Sequence, residues 1–262
     1  TTRLTNPHRF LPAPTPLLFL LFSSPLRNLH TMAPNVLIVC TSADSFGEGN
    51  ATGAWMEEVA GPYYTFSGKG AKVDICSIKG GKVPIDAGSL ADNFQTDETR
   101  KMLGGDDKAL LEATPTLESM LPGLATKYDC IFLAGGHGTI VDFMDANLTK
   151  AVSEMYAAGK VVSAVCHGPV GLEGAVKPNG EPLVKGLKVT GFSNVEETQV
   201  GLIEKIKAAG YHTPEDGLIG LGGTYSSGDP WSAYAVTDGK LVTGQNPQSS
   251  VAAAEACLAA MA

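Results

Sequence analysis

The stretch Lys160 to Val170, KVVSAVCHGPV, constrains the fold of this chain more than any other. Val161, Val162, Ser163, Ala164 and Val165 are small or β-branched and read as a strand covered on both faces. The run stops at Cys166-His167-Gly168-Pro169. A buried strand that ends in a nucleophile, then Gly, then Pro at a first helical position, reads as a strand-turn-helix elbow. Such an elbow lifts one side chain above the sheet, with the free N–H groups of the next helix behind it. A thiol held there is expected to ionise more readily than a free cysteine. The plain alternative makes Cys166 one more small buried hydrophobe. It does not account for strand, elbow, His and Gly-Pro occurring together.

The rest of the chain supplies the sheet that such an elbow needs. Asn35 to Cys40 and Tyr128 to Leu133 are further apolar runs of the central-strand kind, and Lys72 to Ile78 alternates like a strand nearer an edge. Thr52 to Phe66 reads as a helix that Pro62 bends or interrupts. Its Trp55, Met56 and Val59 face the sheet, so one of Glu57 and Glu58 is expected to point inward. Lys79 to Leu121 is a weakly patterned excursion with short helices near Asp106–Glu112 and Pro115–Leu121. The Tyr128 strand ends in Ala134-Gly135-Gly136-His137-Gly138, where glycines let main-chain N–H groups approach a ligand. Asn147 to Ala158 is an amphipathic helix closed by Gly159. Leu187 to Phe192 reads as a short strand. Ser193-Asn194 then caps a helix with Glu196 and Glu197 in its first turn and a continuation over Val200 to Ala208. Acids in a first turn complement the helix dipole in any case. Tyr211 to Trp231 is glycine-rich loop, Ala233–Val236 and Lys240–Thr243 form a hairpin around Asp238-Gly239, and Ser249 to Met261 is a closing helix. Strands alternating with helices predict an α/β, flavodoxin-like parallel sheet with helices on both faces and sites at strand carboxyl ends.

Composition narrows the partners. The formal net charge is -8, with no basic stripe to neutralise phosphate, so a nucleic-acid partner is not expected. The five cysteines are widely and irregularly spaced, which argues for a reducing compartment, cytoplasmic or also nuclear, and against a disulfide framework. CxxC, HxxxH and HExxH spacings are absent, so no metal is expected. Before Met32 lies a Pro- and Ser-rich segment whose apolar run, Leu17 to Phe22, is too short to span a bilayer. It loosely mimics a transit or signal segment. The expectation is that residues 1–31 are disordered or upstream read-through, with one domain over 32–262.

Three features should meet at one sheet edge: Cys166-His167, the Gly135-Gly136 turn, and the acids of two helices. They supply a nucleophile, a proton carrier and main-chain donors for an oxyanion. His167, next to Cys166 in sequence, is expected to point away from the sulfur and to need an orienting partner such as Glu197. Glu58 could reach the thiol directly, as donor when protonated or as base when ionised.

The segments AVCHGP, LAGGHG, TGAWMEE and TGFSNVEE together resemble the ThiJ/PfpI superfamily, with its class I glutamine-amidotransferase-like fold. PWSAYAVTDGKLVTGQNPQSS is similar to the fungal heat-shock chaperone-like branch that contains the glutathione-independent glyoxalases (glyoxalase III). The resemblance covers Met32 to Ala262. It implies Cys166 as nucleophile, His167 beside it, Glu197 as triad acid, Glu58 as the helix glutamate, and Gly135 and Gly136 on the oxyanion side. Glu57 and Glu196 are the neighbours that a one-residue slip would select. His137 is expected to position other groups and not to ligate metal. Ser232 and Ala233 stand where the family commonly has acids, which puts any lid or dimer role of those positions in doubt. The resemblance further implies a lyase of the hydro-lyase type, needing no cofactor, that converts small dicarbonyls such as methylglyoxal and glyoxal to lactate and glycolate. It also implies a homodimer. Two other classes use the same thiol: a cysteine peptidase, amidase or deglycase, and a redox-regulated holdase chaperone. The amidase relatives favour a later His, and His212 is the candidate after Phe192.

Overall fold

In the computed structural model, which describes residues 1–2, 33–47 and 49–262, the apolar run Asn35–Cys40 forms strand β1. Lys72–Ser77 is β2, Cys130–Leu133 is β3 and Val161–Val165 is β4. Ala235–Asp238 is β7 and Leu241–Gly244 is β8, and these six form one sheet in the order β2-β1-β3-β4-β8-β7. All neighbours are parallel except β7 with β8, which is a hairpin. Both strands lie later in the sequence than expected, at Ala235–Asp238 and Leu241–Gly244. Asp238 pairs with Leu241, so Gly239 and Lys240 make the turn, with Gly239 at φ +59°. The expectation for the segment before Met32 lies, apart from its first two residues, outside the described residues.

Alternation along the buried strands divides the core into two layers. Leu37, Val39, Ile131, Leu133, Val162 and Ala164 pack on one face with Leu148, Val152 and Met155 of the helix Ala146–Ala157. Val36, Ile38, Phe132, Val161 and Val165 pack on the other, against Met56, Val59 and Phe66 of helix α1, Met56–Gly68, and Ala253 and Cys257 of Ser250–Met261. This is a flavodoxin-like α/β sheet, whose ligand sites lie beyond the strand carboxyl ends. Among the described residues no helix is long and apolar enough to cross a membrane.

Several local expectations are corrected. Helix α1 starts at Met56 and runs unbroken through Pro62. The Leu187–Phe192 strand shrinks to β5, Lys188–Val189. It pairs with β6, Thr224–Tyr225, in a separate two-stranded sheet. The helix with the paired acids is Asn194–Gln199, and Gly201 at φ +73° ends the turn before a second helix, Ile203–Ala208. The glycine-rich stretch holds a helix, Pro214–Gly220, started by Pro214 behind the Thr213 cap. The helix Asp97–Gly104 was hidden in the excursion, although Thr96 and Thr99 cap it reciprocally.

Close approach of main chains at the strand ends depends on small residues. A Cβ on Gly168 would lie 2.4 Å from the carbonyl oxygen of Leu133. Gly168→Ala is therefore expected to cost roughly 1–3 kcal/mol as an overpacking substitution. It should lower the urea midpoint without changing the slope. An unchanged midpoint would mean that β3 and the elbow are not in this contact.

Candidate active site

Cys166 follows β4 directly and sits at φ +59°, the left-handed region that a non-glycine residue adopts only under constraint. The constraint comes from neighbouring main chain. The Cys166 N–H donates to Gly244 O at 2.9 Å, and its carbonyl accepts from the Phe192 N–H at 2.8 Å. One residue on, the His167 carbonyl accepts from the Thr139 hydroxyl at 3.0 Å. Behind the elbow lies a five-residue 3-10 helix, Gly168–Leu172, with Pro169 near its start, rather than the α-helix that the sequence suggests.

Helix α1 is pinned to the Gly135 turn, because the Trp55 N–H donates to Gly135 O at 3.1 Å. One turn further on, Glu58 lies against the turn and accepts from the Gly135 N–H at 2.8 Å. Gly135 has no room for a side chain: a Cβ there would lie 2.4 Å from Glu58 Oε2 and 2.5 Å from Val165 O. Glu58 is fully buried, and burial raises its carboxyl well above the usual carboxylate range, with the Glu57 and Asp86 charges adding to the rise. Hydrogen bonds from the Cys166 thiol and the Gly135 N–H oppose that rise. Burial likewise raises the Cys166 thiol, and the Glu58 charge and hydrogen bond raise it further. The buried pair thus keeps a proton at neutral pH. This corrects the expectation of an easily ionised thiol, since burial and a facing carboxyl outweigh a short helix terminus.

His167 turns towards the sulfur, contrary to expectation. Its Nδ1 lies 3.2 Å from Cys166 Sγ, and its Nε2 lies 2.7 Å from Glu197 Oε2. In an extended chain adjacent side chains diverge, whereas the left-handed turn at Cys166 brings both to one side. The other oxygen of Glu197 takes His137 Nε2 at 2.9 Å, and the two imidazoles are tilted at 44° to each other with centroids 3.9 Å apart. Burial alone would raise the Glu197 carboxyl, but two imidazoles on one carboxylate hold it down at about 2. Burial, helped by the His137 charge, pushes His167 down to about 4 against the pull of Glu197. At neutral pH the imidazole is therefore uncharged. An ionised carboxylate can only accept, so His167 carries its proton on Nε2 and turns a free Nδ1 lone pair to the thiol.

The two glutamates of each pair have different partners. Glu57 is buried too, but its carboxylate takes the Thr96 hydroxyl. Glu196 caps its own helix and holds Gln245 and Asn246. Gly135 cannot offer its N–H to an oxyanion, because Glu58 already occupies it. Gly136 stands at φ +101°, packed against Gly53 and Trp55. His212 bonds Glu173 at 2.6 Å and takes no part in this cluster. Among the described residues, His137, His167 and Glu197 are the group whose ligand atoms lie within 4.8 Å of one another, and a metal there would replace their mutual hydrogen bonds. Reading the sequence missed the Thr139 hydroxyl, three residues after Gly136. It also missed Phe192, whose ring lies 4.6 Å from that of His167. A polar residue just past a glycine turn and an aromatic one just past a strand were the available signals.

Burial lowers His167 from 6.5 to about 4. Between those values the unfolded chain binds a proton that the folded site excludes, so this group's contribution weakens as pH falls from 6.5 towards 4. A nitrogen-edited NMR spectrum at about pH 6 should show His167 neutral, with its proton on Nε2. An imidazolium at that pH would contradict the arrangement.

Comparison with known proteins places this geometry. Residues 51–260 match the model of the DJ-1/PfpI family. The glutathione-independent glyoxalase HSP31 of Saccharomyces cerevisiae is 36% identical over 225 residues, which cover 84% of this chain and 94% of that protein. The crystal structure of glyoxalase III from Candida albicans superposes with a TM-score of 0.79 at 34% identity, covering 87% of this chain and 97% of that one. The Rapid Encystment Protein of Francisella tularensis does so at 0.81 and 38%, covering 87% and 99%. With four-fifths of its length under the family model and its elbow built as described, this chain belongs to the DJ-1/PfpI family.

Proposed function

We propose that this chain is a glutathione-independent glyoxalase that converts methylglyoxal, and glyoxal, to the 2-hydroxy acid by a lyase-type reaction on its own thiol. The observation that carries the reading is a cysteine held between an uncharged imidazole, 3.2 Å from its sulfur, and a buried carboxyl of raised proton affinity. Two of the relatives named above, those of Saccharomyces cerevisiae and Candida albicans, are glyoxalases, and they lend it weight.

In this reading His167 Nδ1 takes the thiol proton, and the imidazolium so formed is stabilised by Glu197. The Cys166 sulfur adds to the aldehyde carbon while Glu58 gives its proton to the aldehyde oxygen, leaving a hemithioacetal and an ionised Glu58. That carboxylate then removes the hydrogen from the same carbon, and the electron pair forms an enediolate. Returning the proton to the neighbouring carbon gives a lactoyl thioester. Water hydrolyses the thioester, releasing lactate and the thiol, so one methylglyoxal and one water become one lactic acid. With the N–H groups of Gly135 and Cys166 already committed, the oxyanion falls to those of Gly136 and His167. His137 fixes Glu197 and with it the His167 tautomer. A homodimer and a cytoplasmic or nuclear place belong to the same proposal. The amidase reading loses its later histidine, because His212 is engaged by Glu173.

The test is lactate formation from methylglyoxal without glutathione by the wild type, Cys166→Ser and Glu58→Gln. Cys166→Ser should abolish turnover. Glu58→Gln should lower kcat by about 100-fold or more, the scale of a lost general base. A well-folded wild type that forms no lactate, or a Cys166→Ser variant that still does, would rule the reading out.

A further inference from the structure

Trp231 is, with Cys166, one of two non-glycine residues at positive φ among the described residues, at +62°. A bulky side chain keeps that conformation only where its surroundings impose it, and such outliers gather at functional sites. Here both ends of the residue are tied to one short helix. The Trp231 N–H donates to Glu196 Oε1 at 2.9 Å, and the indole N–H donates to Gln199 Oε1 at 2.5 Å. Those two residues flank Glu197 on the helix Asn194–Gln199, so the element that holds the imidazoles also holds the indole.

Glu196 is built for this load. It is fully buried and also accepts from the Ser193 hydroxyl at 2.7 Å, from Gln245 at 3.0 Å and from Asn246 at 2.8 Å. Asn246 in turn holds the carbonyl of Ser232 at 2.9 Å, fixing the chain on the far side of the tryptophan. The ring completes a ladder that rises from the reacting thiol. His167 lies 4.6 Å from Phe192, and Phe192 meets Trp231 edge-on at 5.7 Å. Trp231 is the half-buried outer rung, whereas Cys166 is only 3% exposed and His167, Glu58 and Glu197 are fully buried.

We propose that Trp231 roofs the pocket of Cys166 and sets the upper size of the carbonyl compound that reaches the thiol, with Glu196 and Gln199 as the residues that hold the roof closed. The substrate side of this statement rests on the glyoxalase reading, while the steric side concerns the thiol alone. A roof anchored through a carboxylate and an amide is rigid, so it admits a two- or three-carbon dicarbonyl and turns away one bearing an aryl group.

The experiment compares wild type, Trp231→Ala and Gln199→Leu with two pairs of probes. Cys166 modification by iodoacetamide and by N-phenylmaleimide is followed from the mass of the Cys166 peptide. Turnover is followed with methylglyoxal and phenylglyoxal. Trp231→Ala should raise the maleimide rate relative to iodoacetamide, and phenylglyoxal kcat/KM relative to methylglyoxal, by about tenfold or more. Gln199→Leu, which frees the indole at the surface and leaves the fold alone, should move both ratios the same way by less. A merely structural role would change all four rates together and leave the ratios unmoved, which overturns the proposal. If the wild type turns over neither dicarbonyl, the glyoxalase reading fails and the alkylation ratio alone still decides the roof. Should Trp231→Ala not fold, an unmoved ratio in Gln199→Leu overturns it.

Discussion

Cys166 holds a backbone conformation that L-residues avoid, and hydrogen bonds from two separate segments, the end of β8 and the chain at Phe192, keep it there. Everything in the candidate site follows from that turn. It aims the thiol off the end of β4 and brings His167 to the same side. It also leaves the next residues so close to β3 that glycine is required at 135 and 168. Glu58 arrives by a second route, through the Trp55 hydrogen bond to the same Gly135 turn. Two strand ends and one helix start are thus locked together by main-chain contacts, and the side chains have little freedom left. A site on a rigid scaffold of this kind keeps its geometry without support from the substrate.

The electrostatics share that economy. Four carboxyl groups are buried near the elbow, and each avoids repulsion by a different means. Glu197 stays ionised because two imidazoles face it. Glu196 sits among a hydroxyl, two amides and main-chain N–H groups. Glu57 has the Thr96 hydroxyl and is raised to about 7, mainly by burial. Glu58, with one main-chain donor and a thiol, is raised well above the usual carboxylate range by burial. Identical residue types therefore take different chemical roles, decided by what surrounds each one.

The sequence by itself determined the parallel sheet, the elbow and the list of side chains at its edge. Continuous apolar runs such as NVLIVC and VVSAV fit a sheet covered on both faces, and a nucleophile followed by Gly-Pro leaves few local conformations. Short-range signals fared worse where tertiary contacts competed. LKVTGF kept two strand residues because it pairs outside the main sheet, and α1 runs through Pro62 because Met56 and Val59 before it and Phe66 after it are buried in the core. Only the tertiary structure decided which glutamate of each pair faces the thiol or the imidazole, which way His167 turns, and whether the thiol is ionised. Those outcomes depend on distances of a few ångströms between segments up to about a hundred residues apart in the chain, and burial acts on a pKa only once those segments have closed around the group.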